Sequence, residues 1–185
     1  LRVVIAGDGP YRPELQQQAA RLGLPDVVSF PGFLSTSELP AVLAATDATV
    51  VPSRYEPFGM VALEAAAAGA PLAVAATGGL VEVVEPGVTG LTFPHSNPEA
   101  LADAVGRLVS DPVNARRMAR RARAVVNQRY GWPAIAARTA DAYATARRLA
   151  DPYEAHRTAE LLASDGRAQI VVPDGNLLVP DGAPV

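Results

Sequence analysis

The chain contains no cysteine and no lysine; all 16 of its basic residues are arginine. Without cysteine there is no disulfide framework and no thiolate to act as nucleophile or ligand. The arginine-only usage reads as genome composition before it reads as function. Net charge is −3, which argues against nucleic acid as a partner. No apolar run reaches the length needed to span a bilayer, and no signal peptide is expected from the opening residues. His, Asp and Glu never cluster at metal-ligand spacing, so no metal is expected. His95 stands apart from any carboxylate or second ligand and reads as a loop residue. No nucleophile motif of a hydrolase is present.

What remains is an ordinary soluble composition: 185 residues, 49% hydrophobic and 19% charged. That is enough chain for a real core, and the cytoplasm is the expected compartment. Strand-like and helix-like segments alternate. Leu1–Ala6 is a strand entering the turn Gly7-Asp8-Gly9-Pro10, and a helix runs from about Tyr11 or Pro13 to Leu22. Gly7 and Gly9 open a dinucleotide fingerprint, but its third glycine position holds Arg12, so that cofactor motif fails. Val27–Phe30 is a second strand. Ser35 and Glu38 then form a capping box ahead of a helix. Ala48–Pro52, Leu72–Ala75 and Leu91–Phe93 are further strands. The alternation implies an α/β, Rossmann-like fold, a mostly parallel sheet with helices on both faces.

The stretch Ser53–Pro71 organises the rest. It joins two of these strands through a loop and a helix, Gly59–Ala68, stopped by Gly69 with Pro71 beyond. The helix has one polar side chain, Glu64, among Ala, Leu, Val and Met, so most of it is expected to be buried. A buried lone carboxylate needs a hydrogen-bond partner, and a pair of ligand hydroxyls would serve. Gly59 lets a ligand approach the backbone. The first helical N–H groups, around Gly59, Met60 and Val61, favour a phosphate. Glu56 sits just before this turn, stiffened by Pro57.

Glu56 and Glu64, with seven residues between them inside PSRYEPFGMVALEAAAAGAP, resemble the donor-site signature of retaining glycosyltransferases with the GT-B fold. The similarity is greatest to the large family-four group, with a lean toward α-glucan synthases. It continues through Gly78-Gly79-Leu80-Val81-Glu82 and Gly87–Leu91, back to Gly7–Pro10 and forward to Tyr130-Gly131-Trp132, covering roughly residues 1–148. The resemblance implies the donor-binding, C-terminal half of a two-domain enzyme over residues 1–150. In such an enzyme Glu64 binds the ribose hydroxyls and Glu56 is the catalytic contact to the sugar. Backbone N–H groups of Phe58, Gly59, Met60 and Val61 hold sugar and phosphate. The loop Gly32-Phe33-Leu34 meets the base, unless it is a plain connection, and Gly78-Gly79 lies near the donor, unless it is a mere turn. The implied substrate is a nucleotide-diphosphate sugar, with a hexosyl group, glucosyl by the lean, passed to a carbohydrate or glycolipid acceptor without cofactor or metal.

The resemblance also implies departures. The family's first strand and helix, with an Arg and a Lys that clamp the diphosphate, fall before the position of Leu1, as does the acceptor domain. In the order 3-2-1-4-5-6 that first strand is central. Either a gap beside Arg2–Ala6 or direct pairing of that strand with Ala48–Pro52 is expected. A fragment, a partner that supplies the missing half and a degenerate relative are all consistent, and Arg54 is either a partial substitute for the clamp or, beside Tyr55, a structural residue. A non-catalytic nucleotide-sugar-binding module and a GT-B-fold epimerase are the alternative readings. Helices are expected over Asn97–Ser110, Pro112–Arg129 and Gly131–Leu149. In the second of these Arg116, Arg117, Arg120, Arg121 and Arg123 lie opposite an apolar side. With no aromatic among them they read as a solvated face; peripheral contact with an anionic membrane is the sharper alternative. Residues 151–185 form an extension with a hairpin expected over Ile170–Val179 around Val172-Pro173-Asp174-Gly175.

Overall fold

The structure, a computed structural model, describes residues 1–163. They form two compact units, Leu1–Tyr130 and a second that starts at Gly131. The expected hairpin at Ile170–Val179 lies outside the described residues.

The first unit alternates strands and helices. β1 (Val3–Ala6), α1 (Arg12–Arg21), β2 (Val28–Gly32) and α2 (Leu39–Ala44) come first. β3 (Thr49–Val51), α3 (Met60–Ala68), β4 (Leu72–Ala75), α4 (Leu80–Val83) and β5 (Leu91–Phe93) follow. α5 (Pro98–Ser110) and α6 (Pro112–Tyr130) close it. Every strand pairing is parallel, as expected for a βαβ chain. Of the two expected arrangements, the gap holds: β1 pairs with β2, and β3-β4-β5 form a separate sheet, with no pairing between β1 and β3.

Burial divides along the same line. In β4 all four residues of Leu-Ala-Val-Ala are buried, the pattern of a strand covered on both faces. α3 and α5 pack on this sheet, and α6 packs on both of those helices. Ala62, Ala65 and Ala66 of α3 are at or below 1% exposure. Their small side chains let the helix lie close to β4 and α6. β1, by contrast, leaves Val4 and Ile5 exposed, because only one of its edges and little of its faces is covered.

Two local expectations need correction. Ser35 and Glu38 do form reciprocal bonds: Ser35 N–H donates to Glu38 Oε2 at 2.9 Å and Glu38 N–H to Ser35 Oγ at 3.3 Å. The Ser35 hydroxyl, then its N–H, holds the Glu38 carboxyl below the usual carboxylate range. These bonds close a turn, and α2 begins only at Leu39. Pro40 sets that start, since proline fits the first helical turn but not the interior. The helix expected over Gly131–Leu149 is α7, Trp132–Ala163, which runs without a break through the 150/151 boundary drawn from composition. α5 matches its cap: Asn97 Oδ1 accepts the Ala100 N–H at 2.9 Å. Along α6 Ala115, Met118, Ala119, Ala122 and Val126 are buried, and the five arginines are exposed.

The uneven burial predicts uneven costs. Leu72→Ala, at 1% exposure, should destabilise the chain by about 2–5 kcal/mol. Val4→Ala should cost less than about 1 kcal/mol, since Val4 is 49% exposed. Urea unfolding of the two variants checks this; comparable losses would contradict the assignment of the core to the β3-β4-β5 layer.

Candidate functional site

The loop Pro52–Gly59 leaves the C-terminal end of β3, where open parallel sheets hold their ligands. Its geometry is set by Glu56 and Gly59. Glu56 Oε1 accepts the Gly59 N–H at 3.0 Å, and Oε2 accepts the Ser53 hydroxyl at 3.4 Å. Gly59 is the N-cap of α3 and adopts φ 93°, ψ 38°, a left-handed conformation that glycine reaches without a side-chain clash. It is buried, and a Cβ there would lie 3.1 Å from Leu80 Cδ2. So Gly59 is needed for the turn and for packing under Leu80, and its N–H is already taken by Glu56. Met60, Val61 and Ala62 follow as the opening residues of α3, whose N–H groups have no acceptor within the helix.

Glu64 is not buried. The helical period puts Met60, Val61, Glu64 and Ala67 on one open stripe, while Ala62, Leu63, Ala65 and Ala66 face inward. The composition of α3 hid this, because a helix that is apolar all round does not reveal its open side. The expectation of a buried carboxylate is therefore wrong. Among the described residues Glu64 has no hydrogen-bond or ion-pair partner. The stripe thus carries a free carboxylate one turn beyond the electropositive end of the helix, between the half-exposed side chains of Met60 and Val61, at 55% and 46%. A carboxylate so placed accepts hydroxyl hydrogen bonds, and the helix end attracts an anion.

Phe58 is supported by residues that lie far from it along the chain. Its ring meets Tyr130, at the end of α6, edge to face with centroids 6.4 Å apart. Gly78 and Gly79 are more than a turn. Gly79 N–H donates to the Glu56 carbonyl at 2.8 Å, and a Cβ on Gly79 would sit 2.5 Å from the Phe58 carbonyl oxygen. A Cβ on Gly78 would run into the Glu56 carbonyl oxygen. The two loops therefore lie backbone on backbone. Thr77 Oγ1 adds a 3.4 Å bond to the Arg54 carbonyl. Arg54 and Tyr55 are exposed beside this loop.

Gly32 ends β2, with Phe33 exposed and Leu34 partly buried after it. His95 is exposed, its Nδ1 3.3 Å from Ser96 Oγ. Among the described residues no three His, Asp or Glu side chains are grouped as a metal site would need, and no helix is long and apolar enough to cross a membrane. Ser53, Leu80 and Tyr130 are the supporting residues that sequence reasoning missed. Only Ser53, three residues before Glu56, carried a local signal.

Backbone-on-backbone packing predicts that Gly78→Ala shifts the Glu56 loop. The variant should lose about 1–3 kcal/mol of stability, and the amide resonances of Glu56 to Met60 should move. Gly9→Ala, where a Cβ meets nothing within 4 Å, should leave those resonances in place; NMR spectra of the two variants decide it.

Known proteins resemble this chain in sequence and in fold. Glycogen synthase of Mycobacterium tuberculosis is 42% identical over 146 residues, 79% of this chain and 35% of that protein. The solved structure of Anabaena HepE in complex with UDP-glucose superposes with a TM-score of 0.73 at 33% identity, over 78% of this chain and 41% of that one. Sucrose-phosphate synthase of Thermosynechococcus elongatus gives 0.73 at 34% identity, over 80% and 39%. The chain spans about a third of the length of the curated relatives it matches. Residues 1–125 match the family described as Glycosyl transferases group 1. With the parallel βαβ order and the Glu56–Glu64 loop and helix, the chain belongs to that glycosyltransferase family and has the Rossmann-like fold of a GT-B donor domain.

Proposed function

We propose that this domain binds a nucleotide-diphosphate sugar and, completed by an acceptor-binding half, transfers its hexosyl group with retention of configuration. The observation that carries the reading is the open stripe of α3. A free carboxylate, Glu64, and the unpaired N–H groups of Met60 and Val61 sit on the one exposed side of an otherwise buried helix. Ribose hydroxyls on Glu64 and a diphosphate at the helix N-terminus fit that spacing, and a related structure holds UDP-glucose. Glucosyl is the favoured group on the same ground. The base is assigned to Gly32-Phe33-Leu34 and the sugar to the Glu56–Val61 loop, with Gly78-Gly79 as its support.

The diphosphate leaves without a metal in this reading. Charge that develops on it is met by the N-terminus of α3 and by the Arg and Lys of the family's first strand and helix, which open this domain. The family's first strand, which belongs to this same domain, would pair between β1 and β3, which are not paired with each other. Glu56 holds Gly59 and accepts from Ser53 in the unliganded loop. Its remaining lone pairs stabilise the positive charge that grows at the sugar as the bond to phosphate breaks.

The two glutamates should separate in the completed enzyme. Glu64→Ala removes hydrogen bonds to a charged acceptor, about 1.5–3 kcal/mol, so affinity for nucleoside diphosphate should fall by about 10- to 150-fold. Glu56→Gln keeps an oxygen for Gly59, so affinity should hold while kcat falls by about 10²-fold or more. Calorimetric titration of both variants with nucleoside diphosphate, beside their kcat values, tests the division; equal loss of affinity in the two would refute it. Unchanged binding with no transfer by the completed wild-type protein would favour a non-catalytic module.

A further inference from the structure

Arg12 has no part in the site described so far. It is the first residue of α1, and its guanidinium works between two loops. Nη1 donates to Asp8 Oδ1 and Nη2 to the Phe30 carbonyl, at 3.0 and 2.9 Å. Nη1 also lies against Gly32, where a Cβ would be 3.3 Å away. The β1–β2 ladder slips at this point. Val4 pairs with Ser29 and Ala6 with Gly32, so Ile5 alone faces both Phe30 and Pro31. Pro31 has no N–H for a ladder bond. A bulge of this kind bends a strand and re-aims the residues after it. Gly32 leaves it at φ 86°, and its carbonyl accepts the Gly7 N–H at 2.8 Å. Phe33 emerges 78% exposed.

We infer that Arg12 is a positioning residue for the nucleobase: it clamps the β2 bulge and so fixes the loop Gly32-Phe33-Leu34 on which the base is read. The inference rests on the base assignment made under Proposed function. The planar guanidinium holds a carboxylate and a carbonyl at once in a fixed fork, which a point-charge ammonium does not reproduce. Its charge is matched by Asp8, so its effect passes through the loop and not through the diphosphate.

The test uses this chain and its Arg12→Met, Arg12→Lys and Asp8→Asn variants, titrated with UDP, ADP, GDP and inorganic pyrophosphate and followed by amide NMR. Urea unfolding runs beside it. The wild type should prefer one nucleoside diphosphate over the others and over pyrophosphate. Arg12→Met should weaken that preferred ligand by about tenfold, as for loss of an ordered contact, and flatten the preference among bases. Its pyrophosphate affinity should stay within about twofold, which is under half a kcal/mol. Arg12→Lys should recover part of the preference, and Asp8→Asn, which keeps the Phe30 bond, should lose a smaller part of it. A preference that survives in Arg12→Met, with only unfolding stability reduced, would show a merely structural clamp and overturn the inference alone. Equal weakening of pyrophosphate would overturn it too, by placing Arg12 at the diphosphate. If Arg12→Met does not fold, an unchanged preference in both Arg12→Lys and Asp8→Asn would overturn it equally. A wild-type chain that binds no nucleoside diphosphate better than pyrophosphate would overturn the base assignment itself, and the inference with it.

Discussion

The bond from Gly59 N–H to the Glu56 carboxylate is the point from which the site is built. It fixes the angle at which the loop after β3 enters α3, because Gly59 must be left-handed for the chain to make that entry. With Gly59 in place, the next N–H groups are free at the helix end and Glu64 falls one turn later on the open stripe. The same carboxylate that ties the loop is the one assigned to the sugar. Its geometry is therefore held before any donor arrives, which is what electrostatic stabilisation of a short-lived charge requires.

Support for this loop comes from main chain more than from side chains. Gly78 and Gly79 let a second loop lie directly on the carbonyls of Glu56 and Phe58. Below, Leu80 fills the space under Gly59, and Tyr130 backs the ring of Phe58. The buried β4 strand and the alanines of α3 make the platform rigid. The β1-α1-β2 part is different in kind. It is thinly covered, its β1 edge is unpaired, and Arg12 bridges its two loops through Asp8 and the Phe30 carbonyl.

Much of this was legible in the sequence. The strand–loop–helix–strand of Ser53–Pro71 was bounded by Gly69 and Pro71, and Asn97 and Pro98 marked α5. The gap beside β1 followed as one of two outcomes of the strand order. What was not legible has physical causes. α3 is apolar on every side, so its periodicity could not say that Glu64 faces out. The capping box was present, but Pro40 moved the helix start beyond it. The contacts of Gly79 with Phe58, and of Phe58 with Tyr130, join residues far apart along the chain. Neither period nor spacing encodes them.

The central claim is that the N-terminus of α3 and its open stripe form the donor site. Its most direct test is a titration of the isotopically labelled chain with UDP, observed at backbone amides. The account predicts the largest shifts at Met60, Val61, Ala62 and Glu64, with smaller ones at Phe33 and Leu34. Saturable shifts confined to α5 and α6, with the amides of Met60 to Glu64 unmoved, would contradict it.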